Sequence, residues 1–466
     1  MVETGVHPNQ EAPTSVGRVV EALTGWSSRW IPGSFAIACI LTLITFGAVL
    51  LIQQKSPAEA LGFWTHGFWH LLELTMQMGM ILLTGYMMAV SPLASRVLSA
   101  IAGLPKSTLS AIVFMGLVSM LLNWMHWGLG LVGAPIFLRF LVRKHPSLDY
   151  RLAVAAACLG SGCTWHAGLS GSSTLMMATP GHFMEKEVGV IPMTATTFTA
   201  FNLILTVVVV LTATAVLVWL NPKSSVVLPP VTEDGEDGES TGKVSSHAHS
   251  GNWPEGSFTQ WIESGYALNL VMGLLGVTAW ITWVVRDGFR PSLNLFNFIF
   301  VFVALLLHPS PRSFSNAATK GMEYLQGIVV QFPLYAGMHG LIQFSGLAAT
   351  IGGWFVSIAN PLTFPLITYW YSGVLSYFIP SGGSKWVVEA PFILAAAKSL
   401  GVPPPQVLVA YIWGDMSTHF LQPFWAIPVL AITRLEFKDI LGNLVILFLV
   451  NSVVVSLAML LMPYVF

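Results

Sequence analysis

Charge is scarce in this chain. Of its 466 residues 9% are charged, and 20 basic against 21 acidic side chains leave a formal net charge of −1. No basic run breaks the sequence, which argues against a nucleic-acid partner. Cysteine is scarcer still: Cys39, Cys158 and Cys163 all lie in apolar segments, so no disulfide framework is indicated. Also missing is a short apolar core with a small-residue cleavage site near the start, which excludes a signal peptide. Residues 1–33 instead place Arg18, Glu21 and Arg29 among apolar residues and read as an interfacial helix.

Apolar sequence fills the space that charge leaves. With 54% hydrophobic residues and a positive mean hydropathy, the chain reads as an all-α polytopic membrane protein in contact with a lipid bilayer. Spans are expected at Phe35 to Ile52, Phe68 to Val90, Leu152 to Ala178, Phe198 to Leu220, Ala267 to Val285, Leu295 to Leu307, Gly327 to Leu341, Val407 to Ile432 and Ile440 to Met462. Residues 221–260 are rich in Pro, Ser, Gly and acidic residues, carry His247 and His249, and read as a soluble linker. It separates a first membrane repeat, 34–220, from a second, 261–466, which has one extra leading helix.

The repeat shows when the halves are offset by about 254 positions. Ser56-Pro57 then meet Ser310-Pro311, Gly67 meets Gly321, Gln77 meets Gln331, Gly160 meets Gly414 and Thr164 meets Thr418. After a two-residue slip Ala134-Pro135 meet Ala390-Pro391. Basic residues concentrate on the side that becomes cytoplasmic if the N-terminus is inside. The odd number of crossings then predicts two inverted repeats, as in many secondary transporters.

Each half holds two apolar runs too short to span comfortably, Leu109 to Leu122 with Gly130 to Leu141, and Leu362 to Ile379 with Phe392 to Ala397. They read as re-entrant hairpins whose tips are NWMHWGLG, Asn123 to Gly130, and PSGGSKWVVEAP, Pro380 to Pro391. A broken helix follows each, GSGCTWHAGLSGSS from Gly160 to Ser173 and GDMSTHFLQPFW from Gly414 to Trp425. Irregular backbone at membrane depth survives where protein surrounds it or where it lines a watery cavity. Two tips and two breaks are therefore expected to meet at one site.

The candidate substrate residues are Asn123, Trp124, Ser381, Gly382, Gly383, Ser384, Lys385, Trp386 and Gln422, with tip N–H groups and Ser381 and Ser384 hydroxyls taking a carboxylate and Trp124 and Trp386 its alkyl end. Lys385 has two readings: it faces an anionic substrate, or it pairs with Glu389 at i,i+4. Asp415 has two as well, an ion-coupling carboxylate or a helix cap. Ser161, Thr164, Ser170, Glu389, Ser417, Thr418 and His419 complete the candidate ion-coupling set for H⁺ or Na⁺. His126, His166 and His419 fall at discontinuities and serve either as proton carriers or as hydrogen-bonded structural groups. Cys158, Cys163 and His166 offer too few ligands for a metal, and no cofactor is expected. Trp64, Trp69, Trp280 and Trp283 read as interfacial belt, while Trp127 joins Trp124 as the floor of an acyl-sized pocket. No nucleophile and base motif suggests an enzyme.

These residues also carry a resemblance. IPSGG at Ile379 to Gly383, the segment Trp386 to Phe392, QPFWA at Gln422 to Ala426, NW at Asn123-Trp124, SGS at Ser170 to Ser172, ATPG at Ala178 to Gly181 and SRWIP at Ser28 to Pro32 resemble the short-chain fatty acid transporter family. The resemblance covers nearly the whole chain outside the linker. It implies transport of butyrate, acetoacetate or similar monocarboxylates across a bacterial cytoplasmic membrane. It also implies similarity to a wider superfamily of ion-coupled hairpin carriers, often dimers, so a homodimer is one expected assembly. A dicarboxylate or amino-acid carrier of that superfamily is the alternative.

Overall fold

Two serine-proline pairs start the same element in each half of the chain. The hydroxyls of Ser56 and Ser310 accept the N–H groups of Glu59 and Ser313, and the prolines that follow open the helices where an N–H is not needed. A computed structural model describes residues 34–221, 256–379, 381–433 and 435–466. The expected interfacial helix 1–33, the linker from 222 to 255 with His247 and His249, and Pro380 lie outside the described residues.

All regular elements among the described residues are helical. The first half runs α1 (Ser34–Leu51), α2 (Pro57–Phe68), α3 (Leu72–Ala89), α4 (Pro92–Ile101), α5 (Thr108–Met125), α6 (Trp127–Lys144), α7 (Tyr150–Ala157), α8 (Leu159–Cys163), α9 (Ser172–Met177), α10 (Glu185–Val188) and α11 (Ala200–Leu220). The second opens with α12 (Phe258–Ser264) and α13 (Ala267–Asp287). It continues through α14 (Leu293–Leu307), α15 (Pro311–Gly321), α16 (Gln326–Ser345), α17 (Leu347–Ile358), α18 (Phe364–Phe378), α19 (Gly382–Leu400), α20 (Pro404–Ser417), α21 (Pro423–Thr433) and α22 (Phe437–Val465). From α14 onward the order of the first half recurs, with α20 standing for α7 and α8 together and α10 unmatched.

The packing is reciprocal. Helices α1 and α2 lie on α16, while α14 and α15 lie on α3. Gly67 and Gly321, matched in sequence, both sit at these crossings. A methyl group on Gly67 would fall 2.6 Å from the Ala336 carbonyl oxygen, and one on Gly321 would fall 2.6 Å from Leu83. Small residues let the helices close to this distance in the absence of a hydrophobic drive between them.

Among the described residues four helices are long and apolar enough to cross a membrane: α5, α11, α13 and α22. Two bent pairs qualify jointly, α2 with α3 at 43° and α15–α16 with α17 at 76°. The other expected spans are short or interrupted. Helix α5, expected as a mere hairpin arm, reaches spanning length, because Asn123 to Met125 continue it instead of looping.

The irregular segments are shorter than expected throughout. The first tip narrows to His126, the C-cap of α5 and N-cap of α6. At the second, α19 starts at Gly382, so Lys385, Glu389 and Pro391 are helical. Buried backbone must find partners, and continuing the helix supplies them at each step. The breaks reduce to 164–171 and to a 3₁₀ turn, Thr418–Leu421, ending at Gln422. The last residues of the expected linker are helical, since Ser257 caps α12 through the Gln260 N–H. Of the expected belt tryptophans, Trp69 and Trp283 are exposed, whereas Trp64 packs on Gly337 and Trp280 donates to the Leu295 carbonyl.

Candidate functional site

Tips and breaks meet around Trp165. Its ring stacks on His166 at 4.2 Å and His419 at 5.6 Å, with Trp425 at 6.1 Å and Trp127 at 6.3 Å. Sequence reasoning missed this residue, and its signal was its place next to Thr164 within the first break.

A cavity of about 640 Å³ opens beside this stack. Its apolar wall includes Met78, Leu82, Trp127, Leu131, Phe332 and Tyr335. Its polar edge is Ser172, Ser381, Gly382, Gly383, Ser384 and Gln331, with Glu323 toward α15. Among the described residues no basic side chain lines it.

The two returning helices meet this region differently. At the first tip, His126 Nδ1 accepts the Leu129 N–H at 3.3 Å and Ser170 Oγ accepts the Trp127 N–H at 2.9 Å. That N-terminus is closed by protein. At the second, Ser381 makes no side-chain cap, and Gly382, Gly383 and Ser384 border the cavity. The first N–H groups of a helix have no intrahelical acceptor and carry its positive end. Ser384 Oγ beside them is buried and has no hydrogen-bond partner.

Lys385 turns away from the cavity into a buried cluster. Its Nζ lies 3.1 Å from Asp415 Oδ1 and 3.3 Å from Glu389 Oε1, donates to Ser372 Oγ at 2.5 Å and its carbonyl at 2.9 Å, and sits 4.2 Å from the centre of the Tyr411 ring. Of its two readings, the geometry here is that of the pair with Glu389, widened to a second carboxylate. Lys385, Glu389, Asp415 and His166 are all fully buried. Asp415 accepts from three donors: Lys385, Ser376 Oγ at 3.0 Å and His166 Nδ1 at 2.8 Å. His166 Nε2 takes the Ser173 N–H at 3.2 Å, which assigns the proton to Nδ1 and leaves a neutral ring. Glu389 differs, since neither of its oxygens has a hydrogen-bond partner.

Gly382 separates cluster from cavity. A methyl group there would lie 2.5 Å from His166 Cε1, 2.7 Å from Asp415 Oδ2 and 2.8 Å from Trp165. Tyr411 holds the tip by donating to the Gly382 carbonyl at 2.6 Å.

The remaining candidates bind protein. Thr164 donates to the Met120 carbonyl and Thr418 to that of Gly373, so the matched threonines each tie a break to the first arm of a hairpin. Ser161 bonds the Cys158 carbonyl, and Ser417 the Trp413 carbonyl. His419 Nδ1 lies 3.2 Å from the Ser161 carbonyl, and Gln422 donates to the Ser376 and Tyr377 carbonyls. Asn123 donates to the Ser119 carbonyl, Trp124 offers its carbonyl to the Leu169 N–H, and Trp386 is wholly buried against Tyr411. None of these three lines the cavity. Trp127, expected beside Trp124, does line it, and Trp165 and Trp425 stand there instead of Trp124 and Trp386.

Comparison with known proteins agrees in sequence and in fold. The family model described as "Short chain fatty acid transporter" matches residues 15–462. A protein of Escherichia coli (strain K12) named "Putative short-chain fatty acid transporter" is 33% identical over 94% of this chain and 98% of its own length. One of the same name from Haemophilus influenzae is 32% identical over 92% and 95%. Among solved structures, MtrF of Neisseria gonorrhoeae, described as illuminating a class of antimetabolite efflux pumps, superposes with a TM-score of 0.54 at 14% identity over 96% of this chain and 97% of its own. The Alcanivorax borkumensis YdaH transporter, described as having an unusual topology, gives 0.54 at 16% over 91% and 98%. These two likenesses concern the fold alone.

Proposed function

The chain belongs to the short chain fatty acid transporter family, a family of multi-pass membrane carriers rather than enzymes, and from that premise we propose that it moves small monocarboxylates such as butyrate or acetoacetate by alternating access, coupled to H⁺ or Na⁺. One observation carries the reading: the N-terminus of α19 opens, uncapped, onto a cavity that is otherwise largely apolar. The substrate carboxylate sits on the Gly383 and Ser384 N–H groups with the Ser384 and Ser381 hydroxyls, and its alkyl end rests against Trp127, Trp165, Met78 and Leu82.

The absence of a basic side chain from the described lining disfavours a dicarboxylate, whose second charge would be left against an apolar wall. The recurrent element order and reciprocal packing support two repeats, 34–220 and 261–466; the distribution of basic residues supports their inversion with the N-terminus inside, and the family a cytoplasmic membrane. In proteoliposomes under separate Na⁺ and pH gradients, the reading expects saturable counterflow of butyrate and acetoacetate, with succinate excluded. Succinate exchange at butyrate rates would overturn it.

A further inference from the structure

The buried cluster holds more negative groups than positive ones. Lys385 is its one ammonium, His166 is neutral, and Asp415 and Glu389 are two carboxyl groups in a site without exposure. Three donors fix Asp415 as the anion. Glu389 has Lys385 as its ion-pair neighbour among the described residues and accepts no hydrogen bond. An ionised Glu389 would leave one uncompensated buried charge, whereas a protonated one leaves the cluster neutral.

We infer that Glu389 carries the coupling ion, a proton, making transport an electroneutral symport of one H⁺ with one carboxylate. This rests on the monocarboxylate reading above. A hydronium ion on the loading side gives its proton to the Glu389 carboxylate and becomes water, and the resulting acid returns the proton to a water on the other side, regenerating hydronium and the carboxylate. The groups facing Glu389 are Lys385 on α19, Asp415 and Tyr411 on α20, and Tyr371 on α18. Helix α16 contributes the neighbouring His339, bonded to the Val387 carbonyl, while α17 and α9 bring no titratable side chain.

Geometry links the proton to the substrate. A carboxylate on the Gly383 and Ser384 N–H groups lies five to six residues from Glu389 on one helix, about 8–9 Å at roughly 1.5 Å per residue. At low dielectric that anion raises the affinity of Glu389 for a proton, and by reciprocity the proton raises the affinity for the anion. Sodium fits the cluster poorly. An ammonium already occupies the space between the carboxylates, and the hydroxyls of Ser161, Thr164, Ser417 and Thr418 are directed to backbone carbonyls.

The test uses the full chain in proteoliposomes, with protein-free vesicles to subtract passive butyric acid entry. The native protein should accumulate labelled butyrate under an inside-alkaline gradient, acidify the lumen by one proton per butyrate, and ignore a potassium–valinomycin potential. Glu389→Gln should still exchange butyrate for butyrate, but lose accumulation driven by the pH gradient and gain accumulation driven by an inside-positive potential. Glu389→Asp, retaining a carboxyl group, should keep proton drive with a displaced pH profile. PH-driven accumulation persisting in Glu389→Gln, an unshifted profile in Glu389→Asp, or native uptake that follows Na⁺ instead, would overturn the inference. Native protein that exchanges no butyrate would remove the carboxylate reading and this inference with it.

Discussion

At Gly382 a single hydrogen atom separates the cavity from the Asp415–His166 pair. Adding a methyl group drives it into three buried neighbours, two of them held by hydrogen bonds, so the tip must move. Gly382→Ala is therefore expected to lower butyrate uptake about tenfold or more, equivalent to ~1.4 kcal/mol. At Gly383 the nearest atoms to an added methyl are Met78 and Ser172 at 3.4 and 3.5 Å, ordinary contact, and Gly383→Ala should cost far less. Initial rates of labelled uptake, normalised to protein in the membrane, would check the contrast; equal losses would show that the tip does not guard the cluster. Ser384→Ala removes an unpartnered buried hydroxyl and should raise the butyrate KM severalfold without lowering thermal stability.

Helix elements depend on a matched pair of glycines. Gly160 packs under Asn123 and the Ser119 carbonyl, and Gly414 under the Tyr369 backbone, so in each half the helix leading into the break touches the first arm of the hairpin. The matched threonines reinforce these contacts by bonding arm carbonyls. Gly160→Ala and Gly414→Ala should each destabilise the detergent-solubilised protein by about 1–3 kcal/mol through overpacking. Gly442→Ala, with open space around it, should leave the melting temperature within a degree or two of native. A thermal-shift series on the three variants decides the matter, and indifference at both matched glycines would disprove the joint.

Across the whole molecule the two halves differ where a strict repeat would not. Gln331 borders the large cavity, while its counterpart Gln77 borders a small one of about 70 Å³ with His70, Glu73, Thr179 and His182. If the halves exchange conformations during transport, the small cavity is the closed form of the opposite entrance. With Cys39, Cys158 and Cys163 replaced, Gln331→Cys and Gln77→Cys should react with an impermeant thiol reagent from opposite faces of the membrane, and butyrate should alter both rates. Reaction from one face alone would defeat the inverted arrangement.

How far the sequence reaches is visible in particular residues. Long apolar runs, Ser-Pro starts and paired glycines specify helices and their order, because cap chemistry and apolar length are local properties. The sequence also marked Ser381 to Ser384 as a tip and put Lys385 within reach of Glu389. It could not show that Lys385 also meets Asp415, thirty positions on, nor that His166 of the first half closes the far side of that carboxylate. Nor could it rank Trp165 above Trp124 or Trp386, since all three are tryptophans beside discontinuities. Side-chain direction at a tip depends on which neighbouring helix supplies a partner, and that is settled when the halves pack. The sequence by itself determined an apolar, twice-repeated helical chain with two polar interruptions in each half. The tertiary structure alone decided which interruption faces the cavity and which charges pair in the buried interior, because burial makes each polar group take whatever partner the packing brings within reach.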